Sequence, residues 1–401
     1  MTTMPTVATS LVPPSGLVVQ NPAGGAAPTL FCMFSQDWIT LQTFIAQAMQ
    51  LPINQGDFGS KYGTFVDMKA VEDCVAAMKS VQDLSKSFGD PTALVKQLAT
   101  NPAILQTDTA PDQLYVHIVW FATRLYQTAT TFNQTLGQLM TILNAVPAKD
   151  LPATLQSILT GPGGLQSSAA SMVTLANDLI AKLAQFNVAL TPATNVMADY
   201  TGRSSKFYQD VIAEVGQDAA DVETFQHEAD VAYKLWRDLT ISAVTTSIGV
   251  MVLSGGLAWP ASAVLAGVLG DQAQKARDAY DKACGERDDA AADKQKKMAL
   301  QNDLGAFNTQ MTPTNQAAAN FLTTLQKVTG VWTNIGSDLD YIAKNFTPDQ
   351  FAGLPAWKDA MMLDRATQDW QVIAGKASDY TANSLVTFNV GKFGDKVAPA
   401  A

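Results

Sequence analysis

From Leu239 to Gly270 the chain carries no charged residue, no His, no Asn and no Gln. Other stretches lack charge too, such as 125–148, but those are full of Gln and Asn. The constraint here is the absence of every strongly polar side chain. Fourteen large apolar side chains crowd this segment. Leaving them in water would cost on the order of 20 kcal/mol, so something must cover them: the rest of the chain, another subunit or lipid.

The segment divides at Ser254-Gly255-Gly256, followed by Trp259-Pro260. Gly-Gly supplies a turn and Pro suits the first turn of a following helix, so the pattern predicts a helical hairpin. Each arm, as helix, is roughly 21–24 Å long, against a hydrocarbon core of ~30 Å. The first arm aligns Ile241, Val244, Ile248, Met251 and Val252 beside a small, hydroxyl-bearing stripe of Ser242, Thr245, Thr246 and Gly249, with Leu253 just before the turn. The second aligns Val264, Leu265, Val268 and Leu269 beside small Ala263, Ala266 and Gly267, with Leu257 and Trp259 near the tip. Small faces let helices approach closely in lipid, and Trp is enriched at membrane–water interfaces. These twelve large residues are the candidate membrane-insertion set.

The rest of the chain reads as long helices. Leu114, Ile118, Phe121, Leu125, Thr128, Phe132, Leu136, Leu139, Leu143 and Val146 recur at alternating spacings of three and four, from near Asp112 to Pro147. A similar stripe runs from Met68 to Phe88 and stops at Gly89; another from Met172 to Leu190 is expected to end before Pro192. A third runs from Ala318 to Phe346, ahead of Pro348, with breaks expected at Pro52–Gly59 and Pro313. Sustained period-two alternation is absent, so strands are not expected. The fold class is therefore all-α: an elongated bundle of long antiparallel helices with an apolar helical-hairpin head. The expected organisation is a flexible tail at 1–29, a discontinuous bundle from 30–238 and 271–390, the head at 239–270, and a flexible end at 391–401. Residues 271–303 are Ala-rich with mixed charge, as in a solvated helix leading back from the head.

Composition narrows the function. A net charge of −10 argues against nucleic acid and against purely electrostatic docking on anionic lipid. Cys32, Cys74 and Cys284 have neither redox nor metal spacing and read as free buried thiols. His117 lies beside an apolar stripe and reads as structural. His227-Glu228 begins like a zinc-protease helix, but Val231 stands where a second His is needed. Gly161-Pro162-Gly163-Gly164 has no Lys-Ser/Thr after it and reads as a turn. Trp357, Trp370 and Tyr380 read as core. No cofactor, metal or catalytic residue is expected, so the chain is not read as an enzyme.

The layout of long helices, an apolar head inserted between two of them and a charged return helix resembles the cytolysin A superfamily of α-helical pore-forming toxins, which includes haemolysin BL components and the alpha-xenorhabdolysins. Phe34-Ser35-Gln36-Asp37-Trp38-Ile39-Thr40-Leu41-Gln42, ending at Leu51-Pro52, is similar to the first helix of xenorhabdolysin-type chains. The resemblance implies a soluble form that releases its head at a target-cell lipid membrane and oligomerises, with one or two related toxin components as partners. It also implies secretion, here without a recognisable signal peptide, since the first basic residue is Lys61. Two other readings stay open: a soluble interaction or scaffold protein in which the hairpin is permanently buried, and an integral membrane protein anchored by it.

Overall fold

The computed structural model describes residues 15–20, 29–49, 51–90, 97, 100–215, 290–345 and 363–383. Their core is a bundle of antiparallel helices built on two long ones. Capping sets where the first helices begin. Ser35 accepts from the Trp38 N–H to start α1 (Gln36–Ala48). Asn54 accepts from Asp57 to start α2 (Gln55–Tyr62), and Asp67 from Ala70 to start α3 (Met68–Phe88). Gly89 ends α3 at φ 120°, a conformation other residues rarely adopt, with Tyr115 pressed against its open side.

Then come α4 (Leu114–Ala145), α5 (Leu151–Thr160), α6 (Leu165–Thr201), α7 (Lys206–Val215), α8 (Ala290–Asn345) and α9 (Leu363–Asn383). At 56 residues, α8 is about 84 Å long and forms the spine. Helix α6 lies antiparallel along it. Gln166 Nε2 donates to the Gly336 carbonyl, Asn315 Nδ2 to Thr194 Oγ1 (3.0 Å), and Thr201 Oγ1 to Asn308 Oδ1 (3.2 Å). Helix α9 pairs with α4, where Trp370 sits 4.6 Å from Phe132 and Thr367 lies against Gly137. Five helices converge on one aromatic node: Trp38 (α1) stacks on Phe321 (α8) and packs on Tyr115 (α4), while Phe88 (α3) meets Phe186 (α6) at 4.8 Å. Tyr115 donates to the side-chain Oε1 of buried Gln42, whose Nε2 in turn donates to the Trp38 carbonyl, so polar groups inside the node are paired.

The expected stripes are mostly the buried faces, though Met68 at the start of α3 is 44% exposed and Leu84 and Val146 are half-buried. From Ala318 to Ile342 every stripe position on α8 is buried. On α4 the buried residue after Leu125 is Ala129 rather than the expected Thr128, because the 3.6-residue period turns 129 inward. Phe346 lies outside the described residues.

Several boundaries differ from expectation. Helix α6 does not stop before Pro192 and α8 does not break at Pro313; each proline sits inside a continuous helix. Both rings face solvent, and core contacts carry straight past them through Leu190, Thr194 and Met197 on α6 and Met311, Thr314 and Ala318 on α8. That burial outweighs the ~3 kcal/mol a helical proline costs. The expected break at Pro52–Gly59 is partly helical, since Asn54 caps α2 and Phe58 and Tyr62 are buried. The expected tail at 1–29 also holds structure. Val18–Gln20 (β1) pairs antiparallel with Thr29–Phe31 (β2), and Leu17 is fully buried. Strands this short carry no readable alternation.

Candidate functional site

The twelve candidate insertion residues, from Ile241 to Leu269, lie outside the described residues, as do His227, Cys284 and Trp357. What the structure places is the root from which that part of the chain departs and to which it returns: the last turn of α7 and the first turns of α8.

At this root Glu214 and Lys297 form an ion pair at 2.9 Å, with side chains only 17% and 12% exposed. The other Glu214 oxygen accepts the Val66 backbone N–H at 3.0 Å. The Lys297 ammonium stands 5.2 Å from the centre of the Phe65 ring, within cation–π range. Nearly two turns further along α8, Asp303 accepts from the Tyr62 hydroxyl at 2.7 Å and pairs with Lys61 at 3.2 Å. Lys206 bridges Asp67 and Asp210 across the start of α7. The Ala70 N–H, helped by Lys206, holds the Asp67 carboxyl below its ordinary range; Asp210 holds the Lys206 ammonium above its own. Thus the loop from Gly63 to Asp67 is tied to both chain passages by charge. Beside this polar frame Val66 is 89% exposed, the most exposed large apolar side chain among the described residues.

These root contacts escaped the sequence reading. Glu214 and Lys297 are ordinary helix charges on either side of a long intervening stretch, and only the antiparallel register brings them together.

No catalytic constellation emerges among the described residues. His117 is fully buried, with Nδ1 accepting from Lys182 at 3.3 Å and Nε2 3.7 Å from Asp178. Burial, reinforced by Lys182, pushes its pKa down to about 4, so the ring is neutral near pH 7. Burial drives the Cys32 thiol up to about 12 and the Cys74 thiol higher still. Both are free, buried and therefore unreactive. Trp370 and Tyr380 are core residues. Among the described residues no group of His, Cys, Asp and Glu is placed to hold a metal ion. No described helix is long and apolar enough to cross a membrane.

The described residues form an elongated all-α bundle. No protein-family model and no curated protein matches the chain in sequence. Among solved structures it superimposes on the Bacillus cereus HblL1 toxin component with a TM-score of 0.52, at 13% identity, over 88% of this chain and 95% of that one. Soluble SmhB of the tripartite alpha-pore forming toxin Smh from Serratia marcescens matches at a TM-score of 0.48, 10% identity, 88% of this chain and 90% of that one. The fold assignment rests on HblL1 alone. It agrees with the resemblance drawn from the sequence, at the level of the fold.

Proposed function

We propose that this chain is a pore-forming toxin, or one component of a multi-component toxin, that inserts residues 239–270 into a target-cell membrane and assembles there with copies of itself or with related components. The observation that carries this reading is a coincidence between fold and sequence. The chain has a fold similar to that of a toxin component, and the stretch 216–289 between α7 and α8 has at its centre the one run of sequence stripped of polar side chains.

The register supports it further. The contacts Thr194–Asn315 and Thr201–Asn308 are both symmetric about the bond between Ser254 and Gly255; Glu214–Lys297 is symmetric about Gly255–Gly256. Nearly equal lengths of chain therefore lead from the body to the Gly-Gly turn that the sequence predicts. In this reading the apolar stripe of Ile241, Val244, Ile248, Met251 and Val252 faces lipid together with Leu253, Leu257, Trp259, Val264, Leu265, Val268 and Leu269. The hydroxyl stripe faces neighbours or water. The chain acts after secretion, by a route that the sequence does not name, and needs no cofactor.

The test is dye release from liposomes and lysis of eukaryotic cells, by the protein alone and with any genetically adjacent partner. Val252→Asp combined with Leu265→Asp is expected to abolish release while the protein stays soluble and folded. Normal lysis by that variant would refute the assignment.

A further inference from the structure

Pro192 in α6 and Pro313 in α8 lie far apart in sequence but at one level of the bundle. The bond from Asn315 Nδ2 to Thr194 Oγ1, at 3.0 Å, joins residues that each lie two positions beyond their helix's proline. Given that register, the two prolines stand within about 6 Å of each other along the helix axes. Each removes the N–H that would donate to the carbonyl four residues earlier, at Val188 and Thr309. Each is followed by a buried threonine that turns its hydroxyl back onto its own helix: Thr194 onto the Leu190 carbonyl (3.0 Å) and Thr314 onto the Gln310 carbonyl (2.7 Å). Threonines bonded this way bend helices, as do prolines. The Asn315 amide ties the two weakened points together through Nδ2, while its buried Oδ1 has no hydrogen-bond partner.

The geometry points to a paired hinge. Helices α6 and α8 flex locally as one unit at the level of Pro192 and Pro313, with Thr194–Asn315 as the coupling element, while α1 packs on α8 on both sides of that level through Phe44 on Phe307 and Trp38 on Phe321. Two unrelated local defects would have no reason to share a level and to be joined there by a side-chain bond.

Hydrogen exchange read by mass spectrometry on the intact soluble chain tests this without any membrane, so its outcome is separate from that of the pore reading. Pro192→Ala on α6 is expected to slow exchange not only around its own site but also at 310–317 on α8, by about fivefold, the equivalent of one recovered backbone hydrogen bond. Pro313→Ala is expected to slow 189–196 on α6 in return. Adding Thr194→Val to Pro192→Ala is expected to confine the effect to α6. If each proline variant slows only its own helix, there is no shared hinge. If the cross-helix effect survives Thr194→Val, the coupling role of Thr194–Asn315 is wrong. Melting of either alanine variant below the wild type would contradict the premise that the prolines are the weak points of these helices.

Discussion

The Glu214 carboxylate and the Lys297 ammonium meet at 2.9 Å where the described chain leaves α7 and re-enters at α8. Neither has full access to water, and Glu214 also satisfies the Val66 N–H. Removing one partner leaves the other charge poorly solvated, so Glu214→Ala and Lys297→Met are each expected to destabilise the protein by roughly 1–3 kcal/mol. A double-mutant cycle by thermal unfolding should return a coupling of about 1 kcal/mol or more. Simple additivity would mean that the pair does not clasp the root.

His117 makes stability depend on acid. Its folded pKa of about 4 lies below the ordinary 6.5. Above pH 6.5 the ring is neutral in both states and contributes nothing. As pH falls from 6.5 to 4 the unfolded chain gains a proton that the folded chain refuses, and stability is lost by up to about 3 kcal/mol before levelling off. Comparing the Tm of the wild type with that of His117→Gln between pH 7.5 and pH 4 isolates this contribution. The gap between them should shift against the wild type across that window; a constant gap would contradict it.

Gly89 should tolerate no side chain. At φ 120°, with the nearest Tyr115 atom 3.2 Å from where a Cβ would sit, Gly89→Ala combines backbone strain with a steric clash at the aromatic node. A loss of about 1–3 kcal/mol is expected, read by chemical denaturation.

The pairing of α4 with α9 rests on Phe132 and Trp370, with Trp332 of α8 packed against both, and the indole N–H groups of the two tryptophans are buried without a hydrogen-bond acceptor. Trp370→Phe removes an unpaired donor along with some volume, whereas Trp370→Ala removes the whole ring. The alanine variant is expected to lose about 3–5 kcal/mol and the phenylalanine variant much less. Equal losses would show that ring volume is not what holds α9.

Much of the bundle could be read in advance because helix burial follows a period. Phe321, Leu325, Val328 and Trp332 repeat at spacings that only one face of a helix satisfies, and that face is buried. Helix ends were readable where a terminator stands at the end of a stripe, as at Gly89 and Pro147. Pro192 and Pro313 misled because a proline's local penalty is smaller than the burial on the opposite face of the same helix, and a linear sequence does not show which faces meet water. Leu17 and the β1–β2 pair were missed because three-residue strands hold too few positions for a pattern. Of the candidate site, the apolar composition of 239–270 was legible. The ion pair at its root was not, since contact between Glu214 and Lys297 is a product of helix register and not of spacing along the chain.

The two sealed thiols have a practical consequence. Cys32 lies just after β2 and Cys74 lies on α3, both excluded from water and held protonated by their surroundings. An alkylating reagent reaches either one only when the packing over it parts. Each is thus a natural clock for the breathing of its own portion of the molecule, readable by the rate of adduct formation and requiring no engineered probe.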